Sequence, residues 1–254
     1  MNTLRRSGHV VMTSDGVRIS FYLYHQAGGG KVLIICPGFF QSKETAIFEK
    51  LSRDLAQDQD VLCMDFRGHG RSGGLYTFSA KEGADLEAVL RWVHARYIHV
   101  VLLGFSLGAA TAINVASQQG GVDGLIAVSA PMAFEEIEFK FWTPEAIRTG
   151  LTGLESGAGF RPGNPWLKKA RPSDAIRHLA TIPVLLIHGT DDPIISHRHS
   201  QRLYEMASDP KHMEIIPGGG HAEELYRQNP AGFASMIQTW LNSGGFIQKE
   251  AFPR

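Results

Sequence analysis

Gly104-Phe105-Ser106-Leu107-Gly108 sets a serine between two glycines. The apolar run Val100 to Leu103 precedes it as a strand would, and the small residues Leu107 to Ala112 follow as a helix would. A serine on such a strand–turn–helix is held on a sharp elbow with its hydroxyl presented. The turn leaves no space for bulky neighbours, which gives Gly104 and Gly108 a steric reason to be there. The start of the helix also brings the positive end of its dipole to Ser106. An ordinary turn with a capping serine is the competing explanation, and the strand and helix on either side argue against it.

A hydroxyl becomes a useful nucleophile only when a base removes its proton. In an elbow of this type the base comes late in the chain, after an acid. Among 11 histidines, His221 stands in Pro217-Gly218-Gly219-Gly220-His221, a loop directly after the strand pattern His212 to Ile216. His188 is the rival. It ends a strand pattern but precedes the acid, and is read as structural. The acid should follow the strand Pro183 to His188, where Gly189-Thr190-Asp191-Asp192 supplies two carboxylates. Either could accept the His221 ring proton and stabilise the imidazolium, and either could cap the turn. A tetrahedral oxyanion needs two N–H donors. One is the backbone N–H of Leu107, and the other is that of Phe39 in Pro37-Gly38-Phe39-Phe40, where Gly38 permits close backbone approach.

These residues need a frame. Val10 to Thr13 and Val17 to Tyr24 read as a hairpin around Ser14-Asp15-Gly16. Lys31 to Cys36, Asp60 to Asp65, Val100 to Leu103, Gly124 to Ser129, Pro183 to His188 and His212 to Ile216 read as strands. Helical spacing occupies Glu44 to Ala56, Leu107 to Ser117, Ser200 to Ala207 and Ala231 to Leu241. Another helix carries Leu86, Val89, Leu90 and Val93, and Ser79-Ala80-Lys81-Glu82 has the capping-box pattern to open it. Buried strands alternating with helices mean a mostly parallel twisted sheet with helices on both faces. The rhythm breaks once, from about 131 to 180. That stretch reads as a small cap inserted into a single domain spanning 1–254, over the C-terminal strand ends where open α/β sheets bind ligands.

The chain of 254 residues has 25 basic and 25 acidic side chains, 43% hydrophobic and 20% charged residues. The neutral balance speaks against a nucleic-acid partner. No run of 18 apolar residues predicts a membrane span, and no His/Cys spacing predicts a metal. Cys36 and Cys63 fall in buried strand patterns as small apolar side chains. With no signal-peptide pattern at the N-terminus, a cytoplasmic location is expected.

On Pro37-Gly38-Phe39, Asp65-Phe66-Arg67-Gly68-His69-Gly70-Arg71-Ser72, Gly104-Phe105-Ser106-Leu107-Gly108 and Gly189-Thr190-Asp191-Asp192 with Gly220-His221, the chain resembles the α/β-hydrolase superfamily. The likeness is to the group of serine aminopeptidase-like hydrolases, monoacylglycerol lipases and cinnamoyl or feruloyl esterases. It implies the α/β-hydrolase fold, no cofactor, and a triad of Ser106, Asp192 and His221. The G-x-x-D pattern common in these families points to Asp192 over Asp191. Many members carry His-Gly where this chain has Pro37-Gly38. The Arg67–Ser72 marker is read as loop structure without a catalytic part.

The expected function is a serine carboxylesterase acting on a small-molecule ester with a short-to-medium acyl or aryl group. Phe40, Trp142 and Trp166 are the expected substrate-binding side chains, with other insert aromatics such as Phe134 and Phe160 split between a small core and the pocket wall. Monoacylglycerol lipase or thioesterase action is the near alternative. Cofactor-free perhydrolase or haloperoxidase action is the alternative from another class, and peracid formation separates it. A binding scaffold with a decayed site is the third, and a fluorophosphonate probe separates that.

Overall fold

The computed structural model describes residues 4–25, 30–135, 137 and 156–243. Eight strands form one sheet: β1 Arg5–Met12, β2 Arg18–His25, β3 Lys31–Cys36, β4 Asp60–Met64, β5 His99–Phe105, β6 Gly124–Val128, β7 Val184–Gly189 and β8 Lys211–Ile216. Their order is β1-β2-β4-β3-β5-β6-β7-β8. β1 pairs antiparallel with β2 and β2 antiparallel with β4, while every pair from β4 to β8 is parallel. The helices are α1 Ala46–Leu55, α2 Gly83–His94, α3 Leu107–Gln118, α4 Pro172–Ala175, α5 Arg198–Met206, α6 Glu224–Gln228 and α7 Pro230–Asn242.

Side-chain alternation along the strands divides the core in two. In β3, Val32, Ile34 and Cys36 join a cluster closed by Leu86, Val89 and Val93 of α2, Ala109, Ala112 and Ile113 of α3, and Leu203 of α5. Leu33 and Ile35 face the other way, onto Phe48, Leu51 and Leu55 of α1 and Phe233, Ile237 and Leu241 of α7. Parallel strands covered on both faces read as near-continuous apolar runs, and β3, β5, β6 and β7 do, with Lys31 and His99 at strand starts and His188 near the end of β7 as exceptions. Cys36 and Cys63 are free and buried, and burial pushes both thiols well up from their ordinary value.

Two local expectations change. The hairpin begins at Arg5, five residues before Val10, because β1 is an edge strand with no fully buried position on either face and so accommodates Arg5, Arg6 and His9. The capping box is also displaced. Glu82 accepts the backbone N–H of Thr77 at 2.6 Å, and Thr77 Oγ1 accepts the N–H of Lys81 at 3.0 Å. Ser79 has φ 71° and turns its hydroxyl toward α3 instead, 3.0 Å from Thr111 Oγ1.

The expected insert falls between β6 and β7. Position 136 and positions 138–155 lie outside the described residues. Of the rest, 159–163 is laced to the loops after β3 and β4. Gly159 N–H donates to Phe40 O, Arg161 N–H to Gly68 O and Gly163 N–H to Tyr76 O, while Tyr76 N–H donates to Arg161 O, all at 2.7–2.9 Å. Among the described residues no helix is long and apolar enough to cross a membrane.

Candidate active site

β5 ends at Phe105 and α3 starts at Leu107, so one residue makes the turn. Ser106 has φ 51° and ψ −117°, a conformation L-residues rarely adopt. Its N–H is held by Val128 O at 2.8 Å, and its carbonyl accepts from Ala109 and Ala110 at 3.0 and 3.1 Å. A Cβ on Gly104 would strike the Ala109 backbone, and one on Gly108 would strike the Cys36 carbonyl. The steric argument for the two glycines is therefore met by named neighbours.

The loops after β7 and β8 converge on this turn. Thr190 N–H donates to Ile216 O at 3.0 Å, Asp191 N–H to Gly219 O at 2.9 Å, and Gly218 N–H to Thr190 Oγ1 at 2.9 Å. Gly189 lies against Gly219 too closely for any side chain. So tied, His221 Nε2 stands 3.0 Å from Ser106 Oγ, and its Nδ1 2.7 Å from Asp192 Oδ2. Asp191 points away, exposed, and accepts from Thr190 Oγ1 at 2.8 Å. The structure thus brings Ser106, His221 and Asp192 into one row and leaves Asp191 outside it. Asp192 Oδ1 accepts the N–H groups of Ile194 and Ile195, both at 2.9 Å.

All three residues are buried. Burial alone would push the Asp192 carboxyl up. The facing His221 charge, with donors from His188 and His221, outweighs burial and holds it well below the usual carboxylate range. At His221 burial opposes charging, but the Asp192 carboxylate outweighs it and raises the ring above its ordinary value.

The two expected oxyanion donors are available. Among the described residues neither the Phe39 nor the Leu107 N–H has a protein acceptor. The neighbouring Phe40 N–H is occupied, donating to His69 Nε2 at 3.1 Å. His69 Nδ1 faces Arg67 O at 3.2 Å, so the ring carries its proton there. Burial lowers His69 to about 4, which keeps Nε2 an acceptor. Phe40 has φ 69°. His69 thereby clamps the strained turn that carries Phe39. Ser72 and Asp65 hold the rest of this loop: Ser72 Oγ donates to Asp65 O at 2.7 Å, and Asp65 accepts Lys43 and Arg71 N–H groups at 2.8 Å.

A cavity of about 1330 Å³ opens over Ser106, Leu107 and His221. One wall is aromatic. Phe39 packs on Phe160, Phe78 and Tyr76 with ring centroids 4.6, 5.6 and 5.7 Å apart. Phe40 lines the cavity. Trp166 borders it but is 90% exposed, and Trp142 lies outside the described residues. Three lining groups had no signal in the sequence. Phe78 sits in a positive-φ turn. Glu223, two residues past His221, accepts from Gln41 Nε2 at 2.7 Å, and burial pushes its carboxyl up. Their proximity to Ser106 is tertiary and has no local signature. No cluster fit for a metal ion occurs among the described residues.

Residues 33–236 match the model of the alpha/beta hydrolase family. The chain belongs to that family. This α/β hydrolase is 30% identical to the uncharacterized protein Rv2307c of Mycobacterium tuberculosis over 84% of its own length and 71% of the relative's. It is 27% identical to YqkD of Bacillus subtilis over 94% of its length and 80% of the relative's. Among solved structures, the Pyrococcus furiosus esterase Pf2001 superposes with TM-score 0.77 at 21% identity, covering 94% of this chain and 91% of that one. Esterase RhEst1 of a Rhodococcus species gives 0.74 at 22% identity, over 96% and 99%. At such identities the superpositions establish a common fold.

Proposed function

We propose that this α/β hydrolase is a serine carboxylesterase working through an acyl-enzyme, with Ser106 as nucleophile, His221 as base and Asp192 as its partner. The observation that carries the reading is the unbroken row from Ser106 Oγ through His221 to Asp192, at 3.0 and 2.7 Å.

In this reading His221 Nε2 takes the Ser106 proton as Oγ attacks the ester carbonyl. Asp192 holds the Nδ1 proton and stabilises the imidazolium without itself taking the proton. The carbonyl oxygen becomes an oxyanion between the N–H groups of Phe39 and Leu107, fixed dipoles that need no reorganisation. His221 then protonates the leaving alkoxide. Water attacks the acyl-Ser106 with the same ring as base, and the acid departs.

The wall of Phe39, Phe40 and Phe78 favours a short-to-medium acyl or aryl ester, since apolar walls with few polar groups bind such moieties. The cap reading of residues 131–180 is carried forward with it: the 159–163 segment backs this wall through Phe160. The test is a panel of p-nitrophenyl esters of rising acyl length beside hydroxycinnamate, amide and emulsified triglyceride substrates, with fluorophosphonate labelling mapped by mass spectrometry. Labelling of Ser106 with ester turnover supports the proposal. Absence of both, or a preference for triglyceride emulsion, overturns it.

A further inference from the structure

By its sequence His188 reads as a structural strand end. Its ring is completely buried and shares Asp192 Oδ2 with His221. Nε2 lies 3.1 Å from Asp192 Oδ2 and 2.9 Å from Ile195 O. Both are acceptors, so Nε2 carries a proton. Nδ1 lies 2.7 Å from the hydroxyl of Ser200, a fully buried residue in α5. In the neutral ring Nδ1 accepts that hydroxyl proton. The tautomer is then fixed at both nitrogens by groups that a strand end alone does not require.

The consequence falls on Asp192. Its Oδ1 takes two backbone N–H groups and its Oδ2 takes two imidazole N–H groups, one from His221 and one from His188. A carboxylate offers about four lone-pair sites, and here each is engaged. Three of the donors belong to the loop and strand that carry Asp192 itself. Rotation of the carboxylate would break all three, so Oδ2 stays aimed at His221.

We propose that His188, fixed by Ser200, is a positioning residue that holds Asp192 in the orientation His221 requires, so that the working row has five members instead of three. It rests on the triad reading above. His188 does not touch the reacting atoms; it acts through Asp192. The titratable groups facing Asp192 are His221 and His188, and those facing His221 are Asp192 and Glu223.

The experiment compares His188→Gln, His188→Leu and Ser200→Ala with the wild type in p-nitrophenyl acetate turnover, counted per active site by fluorophosphonate titration. Gln retains an N–H donor that reaches Asp192, and Leu does not. Loss of an outer partner that orients an active group costs about 10–100-fold in related settings. The expected result is a fall of that order in kcat for His188→Leu with KM unchanged, a smaller fall for Ser200→Ala, and substantial rescue in His188→Gln. A role in packing alone would lower the number of active sites while leaving kcat per site intact, and that outcome overturns the inference. So does a Gln variant as slow as the Leu variant. Should His188→Leu fail to fold, Ser200→Ala and His188→Gln still decide, because wild-type kcat in Ser200→Ala removes the proposed anchor. If the wild type is not labelled at Ser106, the triad reading itself fails; if it is labelled and the variants keep full kcat per site, only the role of His188 fails.

Discussion

Two of the rows of serine, histidine and aspartate among the described residues, one at the strand ends and one at the sheet edge, are not equivalent. At the strand ends, Ser106, His221 and Asp192 are linked at 3.0 and 2.7 Å. At the sheet edge, Ser7 Oγ lies 3.3 Å from His25 Nε2, and His25 Nδ1 3.3 Å from Asp60 Oδ2. Residue types and order along the row agree. The surroundings differ in every respect that bears on chemistry. Ser7 lies within a regular edge strand paired to β2, and its hydroxyl is shared with His9 Nε2 at 2.8 Å. Asp60 Oδ2 also takes the Tyr97 hydroxyl at 2.6 Å, and the His25 ring is 41% exposed. Ser106 stands in strained backbone at a helix start, with two N–H groups beside it that have no acceptor among the described residues. On the proposed function, what sets the Ser106 row apart is the geometry already in place around it: burial that strengthens each electrostatic contact, and N–H donors placed where an oxyanion would form.

The widest separation between the rows should appear in the serines. Ser106→Ala is expected to lower kcat/KM by at least about a thousandfold, while Ser7→Ala stays within about twofold. Ester turnover by both purified variants checks this. Retention of activity in Ser106→Ala, or a comparable loss in Ser7→Ala, would reverse the assignment.

The aspartates come next. Asp192→Asn should cost on the order of a thousand- to ten-thousandfold, since an amide favours the wrong His221 tautomer. Asp191→Asn and Asp60→Asn should leave kcat close to wild type. A severe loss in Asp191→Asn would show that the loop rearranges around substrate.

These two aspartates mark where reading the sequence ends. The elbow was legible because sterics write it locally: glycines two residues either side of a serine, between a strand and a helix. The sheet was legible because strands covered on both faces read as near-continuous apolar runs. Asp191 and Asp192 stood equal by spacing, and only the likeness to other hydrolases chose between them. Physically, the Gly189–Gly219 contact turns one toward His221 and the other to solvent, and a contact between residues thirty positions apart has no local signature. His69 was hidden for the same reason. It sits in a motif that reads as loop, and its clamp on the Phe40 N–H exists only once β4 and β3 lie side by side. The Ser79–Glu82 pattern misled because Thr77, with the same chemistry, was two residues away.

The acid limb of the rate profile offers a graded test. Asp192 raises His221 above the ordinary imidazole value of 6.5, and the base must be neutral to act. Activity should therefore be full at higher pH and be lost as pH falls through a midpoint above 6.5, by about tenfold per pH unit beyond it. The residual activity of Asp192→Asn should titrate at lower pH, because the charge that favoured imidazolium is gone. A wild-type midpoint below 6.5, with chemistry limiting, would mean that burial dominates over the carboxylate.

The smallest effect concerns the cavity wall, where two aromatic residues differ as the two rows do. Phe78 and Trp166 both border the cavity. Phe78 stacks into the cluster of Phe39, Tyr76 and Phe160, whereas Trp166 is 90% exposed. A fixed ring presents the same surface to every acyl chain and sets a length limit. An exposed indole has water on most of its faces and little to enforce. Phe78 has φ 57°, so alanine is the right replacement: it keeps a Cβ and hence the backbone strain, whereas glycine would relieve it and confound the result. One methylene in an apolar pocket is worth about 1–3 kcal/mol of discrimination. Phe78→Ala should accordingly shift the octanoate-to-acetate ratio of kcat/KM by roughly tenfold, and Trp166→Ala by less than about twofold. Melting temperatures of both variants should be compared with the wild type, so that a change of preference is separated from loss of fold. A larger shift in Trp166→Ala would place the acyl chain against the indole, and the aromatic cluster would then be scaffolding for the Phe39 turn and no part of the pocket's selectivity.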